Sequence, residues 1–289
     1  VFTGFWIYLL DSGYTYWILD IFTGFWIYLL DSSYTYWLLA IETDDMEYHF
    51  MGHLILVRHG EPGLKPGERL AGWVDISLSR KGIEEALQCA VELEKFELDL
   101  AFASNLVRTQ ETLFIILSGQ KKTGVIVHEG ACDGGYSEKM NWYSSYPEKL
   151  GKKLIPIYFT PSLNERYYGK LQGRKKQKME EKYGAEKLAS WRWNFEPGPP
   201  EGESLKVVYE RTVPYFKKKI LPAVKAGKNV LVCAHQGSLR ALVKYIEGIS
   251  DEDIREVRFS TGELAIYRYS EGKLIRENAE MSPETKRNL

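Results

Sequence analysis

Past residue 50 the chain alternates short apolar runs with longer stretches whose apolar residues recur every three or four positions. Leu54-Ile55-Leu56-Val57 and Val230-Leu231-Val232-Cys233-Ala234 are unbroken apolar runs. Short continuous runs of this kind predict strands covered on both faces. Leu100-Ala101-Phe102-Ala103, Val125-Ile126-Val127 and the segment from Leu264 to Tyr269 predict three more strands. Ile83, Ala86, Leu87, Ala90, Leu93 and Phe96 recur at helical spacing after the turn Ser79-Arg80-Lys81-Gly82. Further helices are expected at Asn105 to Leu117, Glu180 to Trp193, Leu205 to Ile220 and Leu239 to Ile246, with Glu203 and Ser204 as start signals for the third of these. Pro197, Pro199 and Pro200 make Phe195 to Gly202 a loop. Residues 130–161 are rich in Gly, Tyr and Ser and read as an excursion. The alternation predicts an α/β fold, a mostly parallel sheet flanked by helices on both faces.

The first forty residues break this pattern. Val1 to Asp20 and Ile21 to Ala40 are two copies of one twenty-residue unit, differing at Val1/Ile21, Gly13/Ser33, Ile18/Leu38 and Asp20/Ala40. The repeat holds four of the chain's eight tryptophans and no Lys or Arg. Its apolar stretches are too short to predict a transmembrane helix, and it lacks the basic start of a secretory signal. Asp-Ser-Gly and Asp-Ser-Ser between aromatic runs resemble hairpin turns. Met46 and Met51 stand just before the first α/β strand. The preferred division is an aromatic leader over 1–45, outside the main fold, and a single catalytic domain over 51–289. The rival is a membrane-surface or partner-binding anchor in residues 1–40.

Composition then narrows the partners. A formal net charge of −1 gives no basic field for nucleic acid. Cys89, Cys132 and Cys233 are odd in number and far apart, so they form neither a disulfide framework nor a zinc spacing. Cys89 and Cys233 sit in apolar surroundings and read as core thiols, which suits a cytoplasmic protein. The residues leave the oligomeric state open, a homo-oligomer included.

The chemistry gathers at strand ends. Arg58-His59-Gly60-Glu61 follows the first apolar run, and His235-Gln236-Gly237-Ser238-Leu239-Arg240 follows another far downstream. In open α/β sheets ligands bind at the carboxyl ends of strands. Two histidines delivered to one sheet edge would face one pocket. Arg58 precedes His59, and Arg108 opens a helix after a strand. Guanidinium groups match phosphate oxygens and stay charged, so histidines among arginines point to phosphoryl chemistry. Arg240, inside a helix, reads as structural. Glu165, in Leu163-Asn164-Glu165-Arg166-Tyr167-Tyr168-Gly169, offers a carboxylate for proton transfer. By itself it also reads as an ordinary Glu–Arg pair with Arg166.

Arg58 to Glu61, Gly72-Trp73-Val74-Asp75, Ser104 to Arg108, Leu163 to Gly169 with Leu171-Gln172-Gly173, and His235 with Ser238 to Arg240 occur in this order. Together they resemble the cofactor-dependent phosphoglycerate mutases of the histidine phosphatase superfamily, over about Leu54 to Tyr269. Arg-His-Gly marks the superfamily, while Asn-Glu-Arg-Tyr-Tyr-Gly, Leu-Gln-Gly and Gly-Trp-Val-Asp mark the mutase branch. The resemblance implies interconversion of 3- and 2-phosphoglycerate in glycolysis and gluconeogenesis, primed by 2,3-bisphosphoglycerate and needing no metal. It implies His59 as nucleophile forming a phosphohistidine, His235 as stabiliser of the transferring group, and Arg58 and Arg108 as phosphate ligands. It implies Glu165 as general acid/base, and Lys65, Gly72, Arg166, Tyr168, Lys176, Arg192, Gln236 and Gly237 as substrate contacts. Gln236 and Gly237 stand where the family has Gly-Asn, and Lys65 where it has Asn. Trp193 takes the place of a second arginine. These departures predict looser bisphosphoglycerate binding and more hydrolysis. The competing readings are a histidine-type phosphatase acting on small phosphate esters and a non-catalytic binding protein on the same fold.

Overall fold

The computed structural model describes the backbone of residues 8–11, 14–21, 24–30 and 36–40, and residues 52–63, 68–127 and 151–277 in full. Lys65, Cys132 and most of the Gly-, Tyr- and Ser-rich excursion lie outside the described residues. The chain divides into two compact units, Val1–Met51 and Gly52–Leu289. In the first, β1 (Tyr8–Asp11), β2 (Tyr14–Ile21), β3 (Gly24–Leu30) and β4 (Tyr36–Ala40) pair antiparallel in chain order.

The second unit is built on seven strands: β5 (His53–Arg58), β6 (Leu100–Ala103), β7 (Thr123–Ile126), β8 (Leu154–Phe159), β9 (Val230–Ala234), β10 (Leu264–Ser270) and β11 (Lys273–Arg276). Their order across the sheet is β11-β10-β5-β9-β6-β8-β7. The five strands from β5 to β7 run parallel, and β10 and β11 add an antiparallel edge. The apolar runs explain why β5, β6 and β9 occupy the middle. Leu54, Leu56, Phe102, Val230 and Val232 pack on one face with Phe216, Ile220, Leu239 and Leu242. Ile55, Val57, Ala101, Leu231 and Cys233 pack on the other with Cys89, Leu93, Leu113 and Ile116. Alternate residues serve opposite layers, so both faces need apolar side chains. Truncating one of these leucines to alanine costs about 2–5 kcal/mol.

Helices α1 (Arg80–Leu93) and α2 (Val107–Ser118) cover the second face. Helices α3 (Lys176–Tyr183) and α4 (Ala185–Trp193) lead to α5 (Leu205–Tyr215). With α6 (Gln236–Glu247), α5 packs on the first face and its margin. No helix among the described residues is long and apolar enough to cross a membrane.

Several boundaries differ from the sequence expectation. The expected helix over Glu180 to Trp193 is two helices, because Gly184 adopts φ +85° and breaks the ladder. The helix from Leu205 ends as an α-helix at Tyr215 and continues as a π turn over Phe216–Ile220, just after Pro214 removes a donor. Strand β8 lies in the stretch read as an excursion; Pro156 inside Leu154-Ile155-Pro156-Ile157-Tyr158-Phe159 argues against a central strand. Strand β11 follows Glu271-Gly272, both at positive φ, which closes a tight hairpin that the reading ended one strand early. Helix α6 begins at Gln236 rather than Leu239, so its N-terminus abuts His235.

Candidate active site

Strand register assembles the site. Arg58 pairs with Ala234, and Ala103 with Cys233. The next residues of three neighbouring strands, His59, Ser104 and His235, therefore emerge together at the carboxyl edge. All three are buried. The His59 and His235 rings lie 4.8 Å apart between centroids, inclined at 60°.

His59 Nδ1 is 2.7 Å from the Gly60 carbonyl. A carbonyl only accepts, so Nδ1 carries the proton and Nε2 holds a lone pair. Arg108 Nε points at that nitrogen from 3.4 Å. Burial, followed by the charges of Arg108 and Arg58, holds His59 well below the usual imidazole range. Burial, then Arg108, His59, Arg58 and Arg211, does the same to His235. Both rings are thus neutral at physiological pH, and His59 Nε2 is available as a nucleophile. His235 Nε2 lies 2.7 Å from Ser104 Oγ, which is also 2.7 Å from Thr109 Oγ1 and accepts from Leu106 N.

The arginines are fixed by main chain. Arg108 donates to the carbonyls of Gly72 (2.8 Å) and Val74 (3.1 Å). Gly72 has φ +52°, a conformation that side-chain-bearing residues rarely adopt, and a Cβ there would stand 2.8 Å from the Tyr168 ring. Arg58 Nη1 donates to Phe259 O and to Gln236 Oε1. Burial lowers the pKa of Arg58 and Arg108, and the Glu165 carboxylate opposes that shift in both. Glu165 Oε1 accepts from the backbone N–H of Arg166 (2.7 Å) and of Gly237 (3.0 Å) in the first turn of α6. A Cβ at residue 237 would stand 2.3 Å from that oxygen.

These residues share one cavity of about 470 Å³. Arg58, His59, Gly72, Arg108 and Glu165 line it, as do Arg166, Tyr168, Lys176, Arg192, Gln236 and Gly237. The His235 ring stands behind, against His59. Eight Lys and Arg side chains line the cavity against three carboxylates. Two of the three, Glu61 and Glu85, already pair with Lys81. Arg58 Nε and Gln236 Nε2 are buried and make no hydrogen bond. An excess of cations with buried unpaired donors fits a small polyanion of the phosphate-ester kind. Among the described residues, no cluster of His, Cys, Asp and Glu is arranged to hold a metal ion.

The profile of the histidine phosphatase superfamily (branch 1) matches residues 54–140 and 146–278. The chain belongs to this superfamily. A 2,3-bisphosphoglycerate-dependent phosphoglycerate mutase of Methanosarcina mazei is 79% identical over 238 residues, 82% of this chain and 98% of the relative. A protein of the same name from Methanosarcina acetivorans is 55% identical over 83% of this chain and all of the relative. Among solved structures, Bacillus stearothermophilus YhfR superposes with a TM-score of 0.60 at 21% identity, over 80% of this chain and 98% of that one, a likeness of fold.

Within this superfamily fold, three of the sequence readings become sharper. Gly237 was expected to contact substrate, yet its amide is engaged by Glu165. Arg240 is almost wholly buried and donates to the carbonyls of Arg192, Trp193 and Ile254, as a structural residue would, while also lining the cavity. Trp193 lines the cavity with Arg192, Arg240 and Arg258 around its ring at 4.7, 5.4 and 3.6 Å. Sequence reasoning gave no role to Arg69 or Lys81, which also line the cavity. The partnership of Ser104 with His235 was also unassigned. Its signal was present, because Ser104 follows an apolar run as His59 and His235 do.

Proposed function

We propose that the protein interconverts 3-phosphoglycerate and 2-phosphoglycerate through a phosphohistidine at His59. The observation that carries this reading is one cation-lined cavity bringing together the unprotonated His59 Nε2 and the Glu165 carboxylate. The two Methanosarcina relatives, both named as mutases, support it. When bound, 2,3-bisphosphoglycerate supplies the phosphoryl group that loads the histidine.

His59 Nε2 attacks phosphorus, the P–N bond forms and the P–O ester bond breaks. Glu165 gives a proton to the departing alkoxide. In the reverse sense its carboxylate takes the proton of the substrate hydroxyl as that oxygen attacks the phosphohistidine. Arg58 and Arg108 hold the phosphoryl oxygens, and Gln236 Nε2 offers a further donor. His235, neutral and seated against Ser104, backs the His59 ring and is the second histidine of the phosphoryl site. Tyr168, Lys176, Arg166 and Arg192 stand where the rest of a phosphoglycerate would lie. The reading places the protein in the cytoplasm, in keeping with the buried, unpaired thiols of Cys89 and Cys233. The residues named for this chemistry all lie within the stretch matched by the superfamily profile, which begins at residue 54.

A coupled assay with 3-phosphoglycerate, with and without bisphosphoglycerate and alongside phosphate release, tests the reading. Turnover to 2-phosphoglycerate that rises on priming is expected. Phosphate release exceeding isomerisation would favour a phosphatase instead.

A further inference from the structure

Glu165 sits on backbone that no helix or strand holds. It lies between two single 3-10 turns, Pro161–Leu163 and Gly169–Leu171. Main-chain carbonyls in such a segment need donors from elsewhere. Here one side chain supplies most of them. Arg211, on α5, donates through Nη1 to the carbonyls of Pro161 (3.3 Å) and Ser162 (3.0 Å). Through Nη2 it donates to those of Asn164 and Glu165, both at 3.0 Å. Its Nε and Nη2 also meet the two oxygens of Glu203 at 2.8 and 2.9 Å.

Glu203 extends the clamp past Glu165. Its Oε2 accepts from Tyr167 N at 2.9 Å, and its own N–H donates to Tyr167 O at 2.8 Å. The pair therefore grips the segment on both sides of the carboxylate. Arg211 is absent from the cavity wall, so it does not touch substrate.

We propose that Arg211, seated by Glu203, is the positioning residue that fixes Glu165 for proton transfer. This rests on the reading of Glu165 as general acid/base. The chemistry requires an arginine: five N–H groups on a rigid plane reach four carbonyls and a carboxylate at once. A lysine presents three from one point and cannot span them. Displacing a reacting group by about 1 Å costs on the order of 10²-fold in rate, so a loosened segment should be felt in turnover.

The test exploits the leaving group. An alkoxide needs a proton from Glu165 to depart, whereas p-nitrophenolate does not. Arg211→Lys should lower turnover of phosphoglycerate by roughly ten- to a hundredfold and leave the first-turnover burst of p-nitrophenolate from p-nitrophenyl phosphate, which reads leaving-group departure alone, within about threefold. On a Glu165→Gln background the same substitution should add less than about twofold, because both changes act through one group. Equal losses on both substrates, or an undiminished loss on the Glu165→Gln background, would overturn the proposal. If Arg211→Lys does not fold, Glu203→Gln is read by the same two comparisons. Absence of isomerisation in the unaltered protein would count against the mutase reading alone. The contrast would then be read between glycerol phosphate and p-nitrophenyl phosphate hydrolysis, where the same outcomes decide.

Discussion

The two walls of the cavity are held in different ways. One wall is the sheet edge, where β5 brings Arg58 and His59 to the cavity, backed by Ser104 and His235 at the ends of β6 and β9 in register. The other is the run from Asn164 to Trp193, where Glu165, Arg166, Tyr168, Lys176 and Arg192 sit on short turns and short helices. Parallel strand pairing fixes the first wall, so its side chains inherit the rigidity of a sheet covered on both faces. The second depends on side chains bonded to carbonyls: Arg211 and Trp73 on Glu165, Arg240 on Trp193. The phosphorylated group stands on the rigid wall. The groups that meet the rest of the substrate stand on the wall that sequence change can reshape without disturbing the sheet.

Removing the nucleophile breaks the rigid wall's function most completely. His59→Ala should abolish transfer and hydrolysis, a loss of ~10³-fold or more. Label carried from bisphosphoglycerate should be acid-labile and base-stable in the unaltered protein and missing from the variant. Acid-stable label would place the phosphoryl group on another residue.

The next largest effect falls on the second wall. Glu165→Gln keeps the shape and removes the proton acceptor, and it should slow isomerisation by ~10²–10⁴-fold. Melting temperature should scarcely move, since the amide oxygen still accepts from Arg166 and Gly237. A loss under about threefold would assign the proton transfer to another group.

The two walls also differed in how legible they were. Arg58-His59 and His235 could be read from sequence because an apolar run with a charged end is a local signal. Glu165, Tyr168, Lys176 and Arg192 carried no such signal, and their assembly rested on family motifs. Gly184, the kink between α3 and α4, and the Arg211–Glu203 clamp were invisible for a physical reason. Both depend on contacts or backbone angles that residue spacing does not encode. The missed β8 is the same lesson in the sheet: Pro156 argues locally against a strand that its neighbours nonetheless complete.

Only the rigid wall buries imidazoles, so acid should reveal it. His59 and His235 bind protons less readily folded than unfolded. Between their depressed folded pKa values and about 6.5, unfolding takes up protons, so stability rises with pH there. It is fully present above that window and is lost progressively as pH falls through it. Each proton taken up tilts stability by about 1.4 kcal/mol per pH unit. His59→Ala should therefore show a shallower decline in unfolding free energy from pH 6.5 downward than the unaltered protein. Parallel declines, followed by denaturant titration at each pH, would mean that the ring binds its proton as readily folded as unfolded.

The smallest effect is expected at the rim, at Trp193. From the sequence, Trp193 is expected to loosen bisphosphoglycerate binding as the loss of an arginine. The structure supplies a different account, because the indole gathers three guanidinium groups, with Arg258 nearest at 3.6 Å and Arg192 at 4.7 Å. A cation over an indole contributes about 0.5–1 kcal/mol at exposed sites. Trp193→Ala frees Arg192 and Arg258 from their shared ring, and KM for phosphoglycerate should rise roughly two- to tenfold. The kcat should stay within about twofold, since no reacting atom touches the ring. Trp193→Phe should recover part of the loss by restoring a ring face. Salt must be held fixed, because rim electrostatics are screened over about 10 Å at 0.1 M ionic strength. A fall in kcat at unchanged KM would show that the rim and the rigid wall are coupled, and that the two walls are not the separable parts their construction implies.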